Sequence, residues 1–206
     1  MSITKQYKNI IFDLGGVILN IDFALTAKAF ESLGVTGFAD HFSQFKISPL
    51  FESYEVGGIT NEAFFDAIRK ATELNLTDEE ITYAWNALLL DFPQQRIDLL
   101  LQLKQRYNIY LLSNTNALHA NHFQAQLKQQ TGLYLEDIFH KVYMSHEVNM
   151  RKPGKEIYEY VLKDNNLKPE ETLFLDDTHT NFSGSIEAGI DHVLISKEKD
   201  ILSLGL

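Results

Sequence analysis

Short apolar runs rich in β-branched and aromatic residues recur along the chain, each bounded by polar residues or turn formers. This pattern is typical of buried β-strands. It occurs in NIIFDL (9–14), NIYLLS (108–113), HKVYMS (140–145), TLFLDD (172–177) and HVLIS (192–196).

Segments with the helical period lie between these strands. PQQRIDLLLQLKQRY begins at Pro93, a residue suited to a first helical turn, and its leucines recur at helical spacing. ALHANHFQAQLKQQ and GKEIYEYVLKDNN follow the second and third strands, and NFSGSIEAG follows the fourth and ends at Gly189, which can stop a helix. Because strands that alternate with helices indicate parallel βαβ units, we predict an α/β fold with a Rossmann-like, doubly wound parallel sheet covered on both faces.

The region 21–91 interrupts this alternation. It contains ALTAKAFESLG, NEAFFDAIRKATELN and TDEEITYAWNALLL, which all have helical periodicity, and a turn at VGGIT (56–60). We therefore expect a small α-helical insertion at 21–91 and an α/β core domain formed by 1–20 and 92–206. The aromatic residues expected in the core of the insertion are Phe23, Phe30, Phe64, Phe65 and Trp85.

The bulk composition narrows the classes of partner. The chain has 206 residues, a net charge of −10 and a pI near 5.1, which disfavour nucleic acid and anionic membranes as partners. The absence of cysteine excludes disulfides, thiolate metal sites and cysteine nucleophiles. The opening residues, MSITKQYKN, lack the apolar core of a signal peptide, and no run approaches the ~18 apolar residues of a membrane span. We expect a cytoplasmic protein that is a monomer or a homodimer.

Polar residues with the chemistry of a metal and phosphate site follow the predicted strands. In an open parallel sheet, ligands bind beyond the carboxyl ends of the strands, near the point where strand order reverses. Carboxylates that meet there repel each other unless a cation lies between them, and oxygen ligands without cysteine favour Mg²⁺. The residues at or just after the strand ends are Asp13, Ser113, Asn114, Lys152, Asp176, Asp177 and Asn181.

The same residues can form a receptor for a phosphate. A serine hydroxyl, an asparagine amide and a lysine ammonium bind phosphate oxygens. A carboxylate beside the phosphate and the metal can act as a covalent nucleophile and form an aspartyl-phosphate. Gly15 and Gly16 would let the backbone turn sharply and approach the metal, so that a carbonyl oxygen can be a ligand.

Four motifs resemble those of the haloacid dehalogenase (HAD) superfamily. They are FDLGGV, LLSNTN, RKPGKEIY and LFLDDTHTNFSGSIEAG, and they occur in the family's order across nearly the whole chain. The helical insertion directly after the first motif resembles the family's α-helical type-1 cap. The stretch YEVGGIT (54–60) is then either an ordinary turn or a segment that faces the active site and selects the substrate.

The resemblance implies a nucleophile and a metal site. Asp13 would attack phosphorus in line, and its other oxygen, the Gly15 carbonyl and Asp177 would hold Mg²⁺. Asp176 stands where the family usually has glycine and would serve as a supporting acid. Asn181 takes the place of a further acidic residue.

The resemblance also implies a phosphate site. Ser113 and Lys152 would bind the transferring phosphoryl oxygens, together with Asn114 or the backbone amide of Leu14. Catalysis would consist mostly of positioning and charge neutralisation. The expected activity is a Mg²⁺-dependent phosphatase that acts on a small phosphorylated metabolite.

One position departs from the family pattern. Family phosphatases usually carry an acid/base aspartate two residues after the nucleophile, where this chain has Gly15. Asp22 and His119 are candidate substitutes. Bacterial α-D-glucose-1-phosphate phosphatases resemble this chain and share the glycine, and a sugar 1-phosphate has a good leaving group. The alternatives are a 2-haloacid dehalogenase and a weakly active phosphate-binding or regulatory protein.

Overall fold

A five-stranded parallel sheet forms the centre of the protein. The computed structural model describes residues 5–36, 38 and 49–206. The strands are β1 (Asn9–Phe12), β2 (Asn108–Ser113), β3 (Lys141–Met144), β4 (Thr172–Asp176) and β5 (Asp191–Leu194). They are ordered β3-β2-β1-β4-β5, and every neighbouring pair is parallel. The predicted fold class is therefore confirmed, and all five predicted strands are present.

The strand order reverses between β1 and β4. The chain extends the sheet from β1 through β2 to β3, and then crosses back to β4 and β5 on the other side of β1. Phe12 pairs with Leu175, so the carboxyl ends of β1 and β4 lie side by side. This is the switch point at which ligands bind in sheets of this kind.

Helices of the insertion follow β1. They are α1 (Phe23–Ser32), α2 (Pro49–Glu55), α3 (Asn61–Thr72) and α4 (Asp78–Asn86). The side chains of Asp22, Thr60 and Thr77 cap the amino ends of α1, α3 and α4, which explains where these helices begin. Residues 37 and 39–48 lie outside the described part of the chain.

The insertion has its own hydrophobic cluster. Its buried members include Phe30, Phe64 and Phe65, as the helical pattern predicts, and one residue of the core, Leu118, joins them. Trp85 packs against this cluster, whereas Phe23 is 42% exposed and its predicted burial is wrong. Phe23 is the first residue of α1, where a side chain can lie outside the helical stripe that faces the cluster.

Two short segments connect the insertion to the sheet. Ile21 and Leu89 form an antiparallel bridge. Backbone hydrogen bonds of 2.9 Å run from Asn20 N to Asp91 O and from Leu90 N to Asn20 O. The chain thus leaves the sheet and returns to it at one place, where the two connecting segments are paired with each other.

The remaining helices cover both faces of the sheet. They are α5 (Gln94–Leu103), α6 (Ala117–Thr131), α7 (Leu135–Ile138), α8 (Ser145–Val148), α9 (Lys155–Asp164) and α10 (Phe182–Glu187). Successive β1 residues face opposite sides: Ile10 and Phe12 join one buried cluster and Ile11 joins the other. None of the helices in the described ranges combines the length and hydropathy needed to cross a lipid bilayer.

Candidate active site

Three carboxylates meet at the switch point of the sheet. Asp13 directly follows β1, Asp176 is the last residue of β4, and Asp177 comes next. Each offers an oxygen within 4.8 Å of the others. Asp13 and Asp176 are buried, and the backbone N–H of Asp13 donates to Leu175 O at 2.8 Å, which fixes Asp13 against β4.

A buried lysine links two of these carboxylates. Lys152 Nζ lies 2.6 Å from Asp13 Oδ1 and 2.6 Å from Asp176 Oδ2, and the residue is only 1% exposed. Burial alone lowers the pKa of Lys152, but attraction to Asp13 and Asp176 outweighs that effect and raises it. The lysine therefore remains an ammonium ion at the base of the site.

The negative charge exceeds what Lys152 can neutralise. Burial raises the pKa of Asp13 to about 7; Lys152 opposes this shift, while Asp176 and Asp177 add to it. The pKa of Asp177 is also raised, first by burial and then by Asp176. Three ionised carboxylates and one ammonium leave two excess negative charges. A divalent cation held by carboxylate oxygens would balance them, so the donor set suits Mg²⁺.

Asp176 and Asn181 are held in one hydrogen-bond network. Asp176 accepts hydrogen bonds from Thr178 N at 2.7 Å and from Asn181 Nδ2, which is 3.0 Å from each of its oxygens. The backbone carbonyl of Asn181 accepts from Tyr158 at 2.6 Å. With Lys152 also bound, Asp176 has few free acceptor sites. The structure places both residues beside the cluster, and their supporting role stays a prediction.

The two glycines after β1 have different surroundings. A Cβ at Gly16 would lie 2.1 Å from Asp177 Oδ2, and the φ of Gly16 is +74°. A Cβ at Gly15 would instead meet the side chain of Ile21. Sequence reasoning treated the pair together, but Gly16 is the residue that makes room for Asp177. The double glycine at a strand end was the available signal, and it could not distinguish the two positions.

Asn114, one of the residues predicted to bind phosphate, is bonded to the chain at Lys152, another of them. Asn114 forms two hydrogen bonds with the backbone of Lys152: its Nδ2 donates to Lys152 O at 2.8 Å, and its Oδ1 accepts from Lys152 N at 2.9 Å. The Asn114 side chain therefore positions Lys152. Ser113 is buried at the end of β2, and its hydroxyl has no hydrogen-bond partner in the described ranges.

The two substitute acids suggested by the sequence have other partners. Asp22 is exposed and accepts from Ala24 N at 2.9 Å as the cap of α1. Both ring nitrogens of His119 are used, one 3.1 Å from Trp85 O and one 3.1 Å from Asn116 Nδ2. Burial lowers the pKa of His119 to about 4. Asp22 therefore caps a helix, and His119 joins the core to the insertion.

Comparisons with known proteins agree with this fold. The parallel sheet and the carboxylate cluster at its switch point are those of an α/β protein with a candidate metal site. The chain belongs to the haloacid dehalogenase-like hydrolase family, whose sequence profile matches residues 7–189. It is 32% identical over 184 residues to the D-ribitol-5-phosphate phosphatase of Bacteroides thetaiotaomicron, covering 89% of each chain.

Solved structures are similar over almost the entire chain. A HAD family enzyme of Bacteroides thetaiotaomicron, in complex with magnesium and inorganic phosphate, is 35% identical with a TM-score of 0.87, covering 95% of this chain and 97% of that one. A predicted HAD-like family hydrolase from Porphyromonas gingivalis is 27% identical with a TM-score of 0.84, covering 92% and 91%.

Proposed function

We propose that the protein is a Mg²⁺-dependent phosphomonoester hydrolase that acts on a small phosphorylated metabolite through an aspartyl-phosphate on Asp13. The observation that carries this proposal is the group of three carboxylates at the switch point, two of which are bridged by Lys152. The relatives support it, because one is named a phosphatase and another was solved with magnesium and phosphate.

The chain's own residues supply most of the chemistry. Asp13 forms a bond to phosphorus while the ester P–O bond breaks and its electron pair leaves on the ester oxygen; water then cleaves the aspartyl-phosphate. Lys152 and the Ser113 hydroxyl would bind the phosphoryl oxygens. Asp13, the Gly15 carbonyl and Asp177 would hold Mg²⁺, which neutralises charge on the phosphoryl group.

Residues 21–91 would act as a cap over this site. The insertion contacts the core near the site, since Trp85 Nε1 donates to Asn116 Oδ1 at 3.2 Å and the Trp85 and His119 rings stack 4.9 Å apart. A cap excludes water and selects the substrate. A sugar phosphate is the class we favour, in the cytoplasm, with glucose 1-phosphate as the first compound to test and ribitol 5-phosphate, named for a relative, as the alkyl ester for comparison.

Replacement of the nucleophile tests this function. Asp13→Asn removes the attacking carboxylate oxygen and is expected to abolish phosphate release from a panel of sugar phosphates with Mg²⁺. Asp98→Asn is the matched control, because Asp98 is an exposed carboxylate on α5. An Asp13→Asn protein that turns over at the wild-type rate would refute the assignment.

Chelation separates phosphatase from dehalogenase activity. A dehalogenase would use Asp13 against carbon and would not need a divalent cation. The excess negative charge favours a cation. We expect a chelator to stop phosphate release and added Mg²⁺ to restore it. Halide release from a 2-haloacid that persists in the chelator would favour the dehalogenase instead.

A further inference from the structure

The space beside Gly15 is filled by one side chain. The three heavy atoms nearest to a Cβ built on Gly15 all belong to Ile21: Cδ1 at 3.1 Å, Cγ2 at 3.7 Å and Cγ1 at 4.0 Å. Gly15 is not among the glycines with positive φ, so its backbone would accept a side chain without strain. It is therefore Ile21 that opposes a side chain at position 15.

Ile21 would have to shift by a few tenths of an ångström to admit a Cβ at Gly15, and its surroundings oppose that shift. It lies in the paired connection between the core and the insertion, where it forms a bridge with Leu89. The neighbouring Asp22 N donates to Leu88 O at 2.9 Å. The Ile21 side chain packs against the hydrophobic cluster on one face of the sheet. Side chains in such packed positions resist displacement.

Lys152 and His119, which lie near the site, are engaged, and Asp22 accepts from Ala24 N as the cap of α1. Lys152 is bound to two carboxylates, and both nitrogens of His119 have partners. Glu55, on the insertion, lies 3.0 Å from Arg151 in an ion pair, but burial still raises its pKa, so the experiment must test it separately as a proton donor. At Gly15, two residues after Asp13, the chain therefore has no acidic side chain, and the adjacent space is filled by the hydrocarbon side chain of Ile21.

We propose that Ile21 is a specificity-determining residue: its side chain occupies the place of a proton-donating carboxylate and restricts the enzyme to phosphate esters whose leaving oxygen needs no protonation. This inference rests on the proposed phosphatase function. When the P–O bond breaks, the electron pair remains on the leaving oxygen, which takes its proton from water. Esters of acidic alcohols, anomeric hydroxyls or phenols therefore react, and simple alkyl phosphates react slowly.

A stability cycle tests the contact without using activity. Gly15→Ala is expected to lower the melting temperature, and to lower it less when Ile21→Val has removed the δ-methyl group. Ile157→Val, which trims an isoleucine on the other face of the sheet, is the control and is expected to leave the cost of Gly15→Ala unchanged. Equal costs of Gly15→Ala in the wild-type and Ile21→Val backgrounds would overturn the steric part of the proposal.

Leaving-group dependence tests the specificity. In the wild type, kcat/KM is expected to fall steeply from nitrophenyl phosphate to phenyl phosphate to glycerol phosphate. Gly15→Asp alone is expected to bring no gain with glycerol phosphate. The double variant Gly15→Asp/Ile21→Ala is expected to have a kcat/KM for glycerol phosphate about tenfold or more above the wild type, since a positioned acid contributes ~10²–10⁴-fold. If Ile21→Ala fails to fold, Ile21→Val replaces it in the pair.

Two further proteins make the result decisive. The double variant Gly15→Asn/Ile21→Ala has a side chain of the same shape as Gly15→Asp/Ile21→Ala but no acid, and its kcat/KM for glycerol phosphate is expected to stay at the wild-type value. Glu55→Gln is expected to leave the leaving-group dependence unchanged; a steeper dependence would identify Glu55 as the proton donor and overturn the proposal, as would an equal gain from Gly15→Asp alone. Phosphate release from none of the esters by the wild type would instead refute the proposed function, while the stability cycle would still decide the steric contact.

Discussion

Gly16 determines how closely the loop after β1 approaches Asp177. Its φ of +74° is unfavourable for other residues, and a Cβ would overlap Asp177 Oδ2 at 2.1 Å. The close approach places the backbone of the nucleophile loop against a predicted metal ligand. Because Gly16 has no side chain, the backbone can both turn sharply and approach Asp177.

Gly16→Ala is expected to reduce kcat/KM by at least about a hundredfold and to weaken Mg²⁺ binding, because Asp177 must move. Gly132→Ala is a matched control: Gly132 has φ +77° and open space around its Cβ position, so it reports backbone strain of ~1–2 kcal/mol without any collision. Activity and Mg²⁺ titration would be measured for both proteins. Equal losses in the two variants would contradict the role of the Asp177 contact.

Lys152 balances two buried carboxylates, so its removal should cost stability as well as activity. Lys152→Met leaves Asp13 and Asp176 without their partner at 2.6 Å. Breaking a buried ion pair costs ~3–5 kcal/mol, and we expect a loss of this order in chemical denaturation together with loss of phosphate release. Lys155→Met is the control, since Lys155 is in a partly exposed pair with Glu159. If the Lys152→Met protein were as stable as the control, Lys152 would not stabilise the fold by neutralising Asp13 and Asp176.

At the scale of elements, the segment just before Lys152 holds the end of α2. Arg151 forms ion pairs with Glu52 at 2.9 Å and Glu55 at 3.0 Å. Ser145 Oγ donates to Glu55 O at 2.6 Å, and Asn149 Nδ2 donates to Val56 O at 2.8 Å. The position of the insertion is thereby coupled to the chain segment that carries Lys152.

Arg151→Gln is expected to loosen this attachment. Hydrogen exchange should become faster in α2 (Pro49–Glu55) and stay unchanged in α5, and KM should rise more than kcat falls. Arg106→Gln, which removes a hydrogen bond to Leu206 O and a contact with the Tyr107 ring, both outside the insertion, is the control. Unchanged exchange in α2 would show that the backbone contacts alone hold the insertion.

The sequence was informative wherever a local pattern determines structure. Asp13, Ser113 and Asp176 could be placed together because each lies at the end of an apolar strand, and parallel strands end at one edge. The pairing of Asn114 with the Lys152 backbone could not be predicted, because it joins residues 38 positions apart through side-chain geometry. The stacking of His119, a candidate acid in the sequence, against Trp85 of the insertion could not be predicted either. Contacts between the insertion and the core depend on tertiary packing, which periodicity does not report.

At the scale of the whole molecule, the sheet topology concentrates charge in a protein that is already acidic. The net charge is −10, and the switch point adds three carboxylates in one buried place. Such a cluster costs stability unless protons or a cation neutralise it. Stability, pH and metal binding are therefore linked through Asp13.

The pKa of Asp13 is raised from 3.8 to about 7, chiefly by burial, so the folded state binds this proton more tightly than the unfolded state. Its contribution to stability is fully present below pH ~4 and is lost as the pH rises through about 7. Without Mg²⁺, the melting temperature of Asp13→Asn minus that of the wild type should therefore increase from pH 4 to pH 8.

Mg²⁺ binds the ionised carboxylates, so it should raise the melting temperature of the wild type more at pH 8 than at pH 5. It should raise the melting temperature of Asp13→Asn much less at either pH. Asp98→Asn serves as the control, and a pH-independent difference for Asp13→Asn would show that Asp13 is already ionised in the folded protein at low pH.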